Sequence, residues 1–354
     1  MNRRFIGKNT QKSPYMGINS YFCKPKMKRM DALSPVRLLV ESELNSYRQL
    51  FEAALTHEDD YLGRVLDHVK SRRGKMMRPL LVLLVARELG PVGEATLRSA
   101  VALELLHTAS LVHDDVVDQS DERRGQPSAN AAYGNKVAVL VGDYLLSSAL
   151  HQTALTGSTH SVELIARLGA TLSEGEVRQL ANIRNAVSTE EAYYDIIRSK
   201  TAALFAACGQ LGAFTAGAGA EFEERARRFG ELVGMCFQIR DDIFDYYEKA
   251  DIGKPTGNDM AEGKLTLPAI YALSRPEAEP EAGRIAARVK EGTATRDEIA
   301  QLVDFTLRYG GIDYARSVMM RFHDEAAALL AGFRSDDVRR ALGLYLDYVV
   351  GRDF

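Results

Sequence analysis

The stretch "EATLRSAVALELLHTASLVHDDVVD", residues 94–118, decides the fold. It holds no Gly or Pro and is rich in Ala, Leu and Glu, so it reads as one long helix. Its apolar residues run almost all the way round, so the helix must bury most of its surface against neighbours. Its last turns carry Asp114, Asp115 and Asp118 at i, i+1 and i+4. Asp114 and Asp118 share one face a turn apart, where like charges repel unless a cation lies between them. A divalent metal is the expected cation.

Outward from this helix the same pattern recurs. "VRLLVESELNSYRQLFEAAL" reads as an amphipathic helix starting after Pro35. "NKVAVLVGDYLLSSALHQTAL", "SVELIARLGATLSEGEVRQLANI", "EEAYYDIIRSKTAALFAACGQLGAFTAGAG" and "EFEERARRFGELVGMCFQIRDDIFDYYEKA" read as further long helices. Strand signals are nearly absent. Apolar helices of this length bury one another, which predicts an all-α protein, a single large helical bundle. Pro255, Gly257, Pro268 and "SRPEAEPEAG" at 274–283 mark loops. No linker splits residues 31–354 and no fixed-period repeat is present, so one all-α domain is expected there.

The chain has 354 residues, 46% of them hydrophobic and 26% charged, which is enough for a substantial core. A formal net charge of −3 gives no global field for nucleic acid, so charged partners must be met by a local site. Cys23, Cys208 and Cys236 are scattered with no CxxC pair, which fits reduced thiols in a cytoplasmic-type compartment. No apolar run reaches the ~18 residues needed to span a bilayer; "RPLLVLLVARELG" is interrupted by charge. Residues 1–30 differ, with Arg3, Arg4, Lys8, Lys12, Lys24, Lys26, Lys28 and Arg29 and no acid before Asp31. They read as a basic, disordered leader, with an organellar transit peptide or a true start at Met27 or Met30 as alternatives.

"FQIRDDIFDYYEKADIGKPTGNDMAEGKLTLP", 237–268, repeats the acidic pattern with Asp241, Asp242 and Asp245. One such triplet arises by accident in roughly a tenth of chains this long and two in roughly half a percent, so the pair is the signal. Oxygen ligands alone suit Mg²⁺, which is held by carboxylates together with waters and substrate phosphates. Cations agree with a phosphorylated ligand: Lys75 and Arg78 in "GKMMRP", Arg123 and Arg124 after the first cluster, Lys200 beside Thr201, and Lys254 and Lys264 after the second. His113, at i−1 from Asp114, points off the aspartate face and is read as a packing residue.

Together these motifs resemble the trans-type isoprenyl diphosphate synthases, the polyprenyl synthetase family. "GKMMRP", "LLHTASLVHDDVVDQSDERRGQPSANAAYGN", "LVGDYLL", "EGEVRQL", "SKTAALF", "FQIRDDIFDY" and "GKPTGNDMAEGKLTLP" occur in that family's order, and the octaprenyl-type members are most alike, down to the final "RDF". The resemblance implies a deep central cavity, a homodimer, and condensation of isopentenyl diphosphate with an allylic diphosphate. It assigns Asp114, Asp118 and Asp241, supported by Asp115, Asp242 and Asp245, to a Mg²⁺ cluster on the allylic diphosphate. Arg123, Lys200, Lys254 and Lys264 would hold that diphosphate, and Thr201 and Gln238 would aim oxygen dipoles at the allylic cation. Lys75, Arg78, His107 and Arg124 match the isopentenyl diphosphate site. Asn258 stands where some members have an aspartate, with Asp259 retained.

The helix ending at the first cluster should run down the cavity, so Ser110, Leu106 and Ala102, with Ala109 beside the first, form a ladder below Asp114. Each turn is about 5.4 Å, close to one extended isoprene unit. Small residues at Ala109 and Ser110 place the floor deeper and predict a long-chain product for a quinone side chain. "AACGQLGAFTAGAGA", 206–220, either widens the opposite wall or packs helices closely. The alternatives are a farnesyl or geranylgeranyl synthase, a noncatalytic regulatory subunit, and a class I terpene cyclase, whose second motif would not be an aspartate triplet. Transient membrane contact during product release is expected from the product's insolubility.

Overall fold

The computed structural model describes residues 32–71, 74–123, 125–183, 188–247, 256–276 and 279–352. The leader at 1–30, Arg124, Lys254, Pro255 and the last two residues of "RDF" lie outside them. The expected all-α architecture is present. In chain order the helices are α1 (Ser34–Leu38), α2 (Glu41–Ala54), α3 (Asp60–Lys70), α4 (Met77–Arg87), α5 (Glu94–Val117), α6 (Ala129–Tyr133), α7 (Asn135–Ala154), α8 (Thr159–Ile183) and α9 (Glu190–Ile197). After a single π-helical turn, Arg198–Ala202, come α10 (Ala203–Thr215), α11 (Ala220–Phe244), α12 (Asn258–Ala261), α13 (Leu267–Ser274), α14 (Pro280–Lys290), α15 (Arg296–Arg308), α16 (Gly311–Leu329) and α17 (Asp336–Gly351).

The stretch 94–118 is α5, and it lies at the centre, packed by α7, α4, α10, α2 and α8. Ala100 to Leu103 and Leu105 are fully buried, as a helix apolar all round requires. A second spine is α11, between α10, α16 and α17. Glycine sets that spacing: a Cβ on Gly230 would stand 2.1 Å from the Phe205 carbonyl oxygen, and one on Gly209 2.0 Å from that of Ala226. No larger residue permits so close a crossing. α17 returns to close the bundle, where buried Tyr345 donates its hydroxyl to the Met77 carbonyl at 2.9 Å.

Four expectations are corrected in detail. The N-terminal helix breaks at Leu39 and Val40, since Val40 leaves the helical region (φ −128°, ψ 32°) and is buried with Val36. The segment from Glu190 is interrupted by the π turn. Pro268 begins a helix rather than a loop: it occupies the first turn of α13, where its missing N–H costs nothing. A short antiparallel hairpin, β1 (Glu122–Arg123) with β2 (Gln126–Pro127), follows the first aspartates; strands of two residues leave no periodicity to read.

Candidate active site

The two acidic clusters end the two central helices. Asp118 is the C-cap of α5 and Asp245 that of α11. Beyond Asp118 the chain leaves through Gln119, held at φ 51°. The clusters share a cleft, because Lys264 Nζ lies 4.0 Å from Asp118 Oδ2 while its own loop folds back on the second cluster. The Lys264 backbone N–H donates to the Asp259 carbonyl at 2.8 Å.

The six aspartates divide by role. Asp115 is buried and takes Arg123 Nε at 2.7 Å on Oδ1. Asp242 is buried and accepts from Tyr193 Oη at 2.6 Å and Gln238 Nε2 at 2.7 Å. Asp245 accepts from the backbone N–H of Asn258 and of Asp259, each at 3.0 Å, and from the Asn258 side-chain amide at 3.2 Å. An ionised aspartate at 258 has no such donor, so the departure from the family pattern supports Asp245. These three therefore brace the walls. Asp114 and Asp118 face the cleft, and Asp241 is partly exposed and ion-paired to Arg352.

The electrostatics favour an added cation. Burial, against the pull of Lys200, and then the nearby Glu176 and Asp118 charges push Asp114 up to about 6. Burial also raises Asp259, aided by Asp242 and Asp245. Among the described residues no three acidic, His or Cys side chains converge on one point as a ready-made cage. The facing oxygens fit an ion completed by waters and substrate phosphates, which is the habit of Mg²⁺.

The cations are arranged around this cleft. The π turn carries Lys200 and Thr201, and such turns cluster at functional sites. It packs so tightly on α8 that a Cβ on Gly175 would meet Lys200 N at 3.0 Å. Lys200 Nζ forms an ion pair with Glu176 and donates to Gln179 Oε1 at 3.3 Å. Glu176 and Gln179 lie in the "EGEVRQL" block and were not among the expected site residues. Nor was Tyr193, whose "EEAYYDII" context reads only as an amphipathic helix. Thr201 Oγ1 donates to Gln238 Oε1 at 2.7 Å. Lys200, Thr201, Gln238, Asp242, Asp259 and Lys264 line one cavity of about 160 Å³. Arg123 instead lines a neighbouring cavity of about 70 Å³ with His107, Arg48 and Lys70. Lys75 Nζ lies 5.4 Å over the Tyr348 ring and the Arg78 guanidinium 5.0 Å over Phe205. Neither forms an ion pair with a carboxylate among the described residues, and the buried Arg78 Nε lacks a hydrogen-bond partner.

A third cavity, about 580 Å³, runs down from Asp114 and Lys200 between α5, α7 and α8. Leu106, Ala109 and Ser110 line it, but Ala102 is buried in the core and does not. Its opposite wall is α8, with Ala166, Gly169, Ala170 and Ser173. The stretch 206–220 is no part of that wall; Cys208, Leu211 and Ala213 are fully buried, and the Gly209 and Gly212 contacts serve helix packing. His113 packs on α7, its Nε2 3.3 Å from Asp143 Oδ1 and from the Val139 carbonyl.

Two long central helices end in facing aspartate clusters, with lysines between them and an apolar cavity below. The polyprenyl synthetase family pattern matches residues 59–306. The chain belongs to the polyprenyl synthetase family. It is 36% identical over 304 residues to the octaprenyl diphosphate synthase of Haemophilus influenzae, covering 85% of this chain and 91% of that one. Among solved structures it resembles a geranylgeranyl pyrophosphate synthase from Bacteroides thetaiotaomicron, with TM-score 0.81 and 48% identity over 91% of this chain and 100% of that one. It also resembles a polyprenyl synthase from Caulobacter crescentus solved with calcium and isoprenyl diphosphate, with TM-score 0.85 and 32% identity over 90% and 98% of the two chains. As a polyprenyl synthetase the protein is a prenyltransferase of the prenyl diphosphate synthase class. Among the described residues no helix is long and apolar enough to cross a membrane.

Proposed function

We propose that the protein is a Mg²⁺-dependent, long-chain all-trans polyprenyl diphosphate synthase, extending an allylic diphosphate with isopentenyl diphosphate units, in keeping with a quinone side-chain role. The observation that carries this reading is the apolar cavity that starts at Asp114 and Lys200, beside the cation-lined cleft. The allylic diphosphate lies with its phosphates toward Lys200 and Lys264 and its chain down the cavity. Asp114, Asp118 and Asp241 would hold Mg²⁺, which would supply charge neutralisation for the departing pyrophosphate.

The allylic C–O bond breaks with its electron pair leaving on the pyrophosphate, and Lys200 and Lys264 stabilise that negative charge. Thr201 and Gln238 orient their dipoles toward the allylic cation, where exclusion of water strengthens them. Lys75, Arg78 and His107 hold the isopentenyl diphosphate, whose alkene electrons form the new C–C bond. A proton then leaves the adjacent carbon to the released pyrophosphate, and a longer allylic diphosphate results. No protein nucleophile is consumed. Arg123 acts through Asp115, and Arg124 and Lys254 remain assigned by resemblance alone.

Leu106 favours a second reading. It stands about 12 Å down α5 from Asp114 in a cavity that Ile165 also lines, and a side chain of that size can stop the chain near geranylgeranyl. The 48% identical Bacteroides structure bears that product's name. Incubation with farnesyl diphosphate, labelled isopentenyl diphosphate and Mg²⁺, followed by separation of products by chain length, decides between the two. Long products support the first reading, twenty-carbon products the second, and absence of incorporation with geranyl, farnesyl and geranylgeranyl diphosphate alike would favour a regulatory subunit. A homodimer completes the proposal, supported by apolar side chains exposed on α7 such as Leu140, 67% exposed; light scattering checks it.

A further inference from the structure

Tyr193 on α9 is buried, and its phenol donates to Asp242 Oδ2 at 2.6 Å. Gln238 Nε2 donates to Asp242 Oδ1 at 2.7 Å. Both bonds run toward Asp242, one onto each carboxyl oxygen. With its NH₂ end so committed, Gln238 turns its carbonyl oxygen the other way, and that oxygen accepts from Thr201 Oγ1 at 2.7 Å. A hydroxyl carries one proton. Thr201 spends it on Gln238, so lone pairs are what it has left for the cavity it lines.

We infer that Tyr193 is a positioning residue that sets the direction of this whole chain. By fixing Asp242 as a double acceptor, it holds the Gln238 amide in one orientation and makes Thr201 present oxygen lone pairs to the reacting centre. The inference rests on the prenyl-transfer reading, in which that centre becomes a carbocation. Lone pairs stabilise positive charge and an O–H proton opposes it, so the direction of the hydrogen bonds matters as much as their presence. Without the phenol, Asp242 has one donor instead of two, and it can rotate and release Gln238 to flip. The ring itself packs 5.5 Å from that of Tyr194 and does not depend on the hydroxyl.

The test uses the full chain with Tyr193→Phe, Thr201→Val and the double variant, and with Tyr194→Phe as control. The Tyr194 hydroxyl donates to Glu190, away from the cleft. The expected result is a loss in kcat of about tenfold to a hundredfold for Tyr193→Phe. KM for isopentenyl diphosphate stays near wild type, the melting temperature falls modestly as the buried Asp242 loses one donor, and Tyr194→Phe keeps wild-type kcat. The double variant should lose no more than Thr201→Val alone, because the phenol acts through that hydroxyl. Wild-type kcat in Tyr193→Phe overturns the inference, and so do losses that multiply in the double variant. A wild type that incorporates no isopentenyl diphosphate overturns the proposed function and this inference together.

Discussion

Lys264 Nζ and Asp118 Oδ2, from opposite walls of the cleft, lie 4.0 Å apart. Lys264 also forms an ion pair with Glu262 on its own loop, so it is held at the seam between the two aspartate clusters. A diphosphate entering that seam takes over the lysine's charge. Lys264→Ala should therefore lower kcat by about a hundredfold or more, while the fold survives. Steady-state kinetics with labelled isopentenyl diphosphate, together with circular dichroism, checks both halves.

Asp114 is raised to about 6 because burial and the Glu176 and Asp118 charges outweigh Lys200. Its carboxylate is thus costly without a cation, and a bound divalent ion relieves it. Treatment with EDTA should abolish incorporation and added Mg²⁺ restore it. Asp114→Ala should stay inactive at every Mg²⁺ concentration.

The cavity ladder gives opposite shifts in product length. Ser110→Phe, one turn below Asp114, should truncate products by blocking the first rung. Leu106→Ala removes the next bulky side chain and should lengthen them by about one unit per turn, since a turn is about 5.4 Å. Chromatography of the dephosphorylated products reads both; unchanged lengths in both variants would show that the chain runs elsewhere.

Gly230 lets α10 and α11 cross with a Cβ-to-oxygen approach that no substituted residue tolerates. Gly230→Ala should cost about 1–3 kcal/mol as the backbones separate. Chemical denaturation of the variant against wild type measures it, and an unchanged midpoint would mean that the crossing relaxes freely.

His323 sits between Asp324 and Asp347, 3.0 Å from each. Burial alone would lower its pKa, but the hydrogen bonds and charges of the two aspartates win and raise it above 6.5. Folding therefore favours the protonated ring. The stabilisation is full below the unfolded value near 6.5 and is lost as pH rises through the higher folded value. The melting-temperature gap between wild type and His323→Gln should narrow from about pH 6 to about pH 8. A gap that widens would mean that the folded ring has the lower pKa.

The bundle was legible because apolar residues all round 94–118 admit only one environment, and the two aspartate triplets because their spacing is local to a helix. The π turn at 198–202 was not legible. It rests on the fit of Gly175 against Lys200, a contact between segments that no periodicity records. The resemblance already set Asp115, Asp242 and Asp245 in support of the other three aspartates, but the partners that brace them were hidden, because Arg123, Tyr193 and Asn258 reach them only after folding.

The sequence by itself determined the helices, the acidic clusters and the chemistry those side chains can support, since all depend on near neighbours along the chain. Only the tertiary structure decided which wall faces Ser110, that Ala102 lies in the core rather than on the cavity, and in which direction the hydrogen bonds from Tyr193 to Thr201 run. Those features depend on packing between distant segments, where a few tenths of an ångström at a glycine or one buried hydroxyl selects the arrangement.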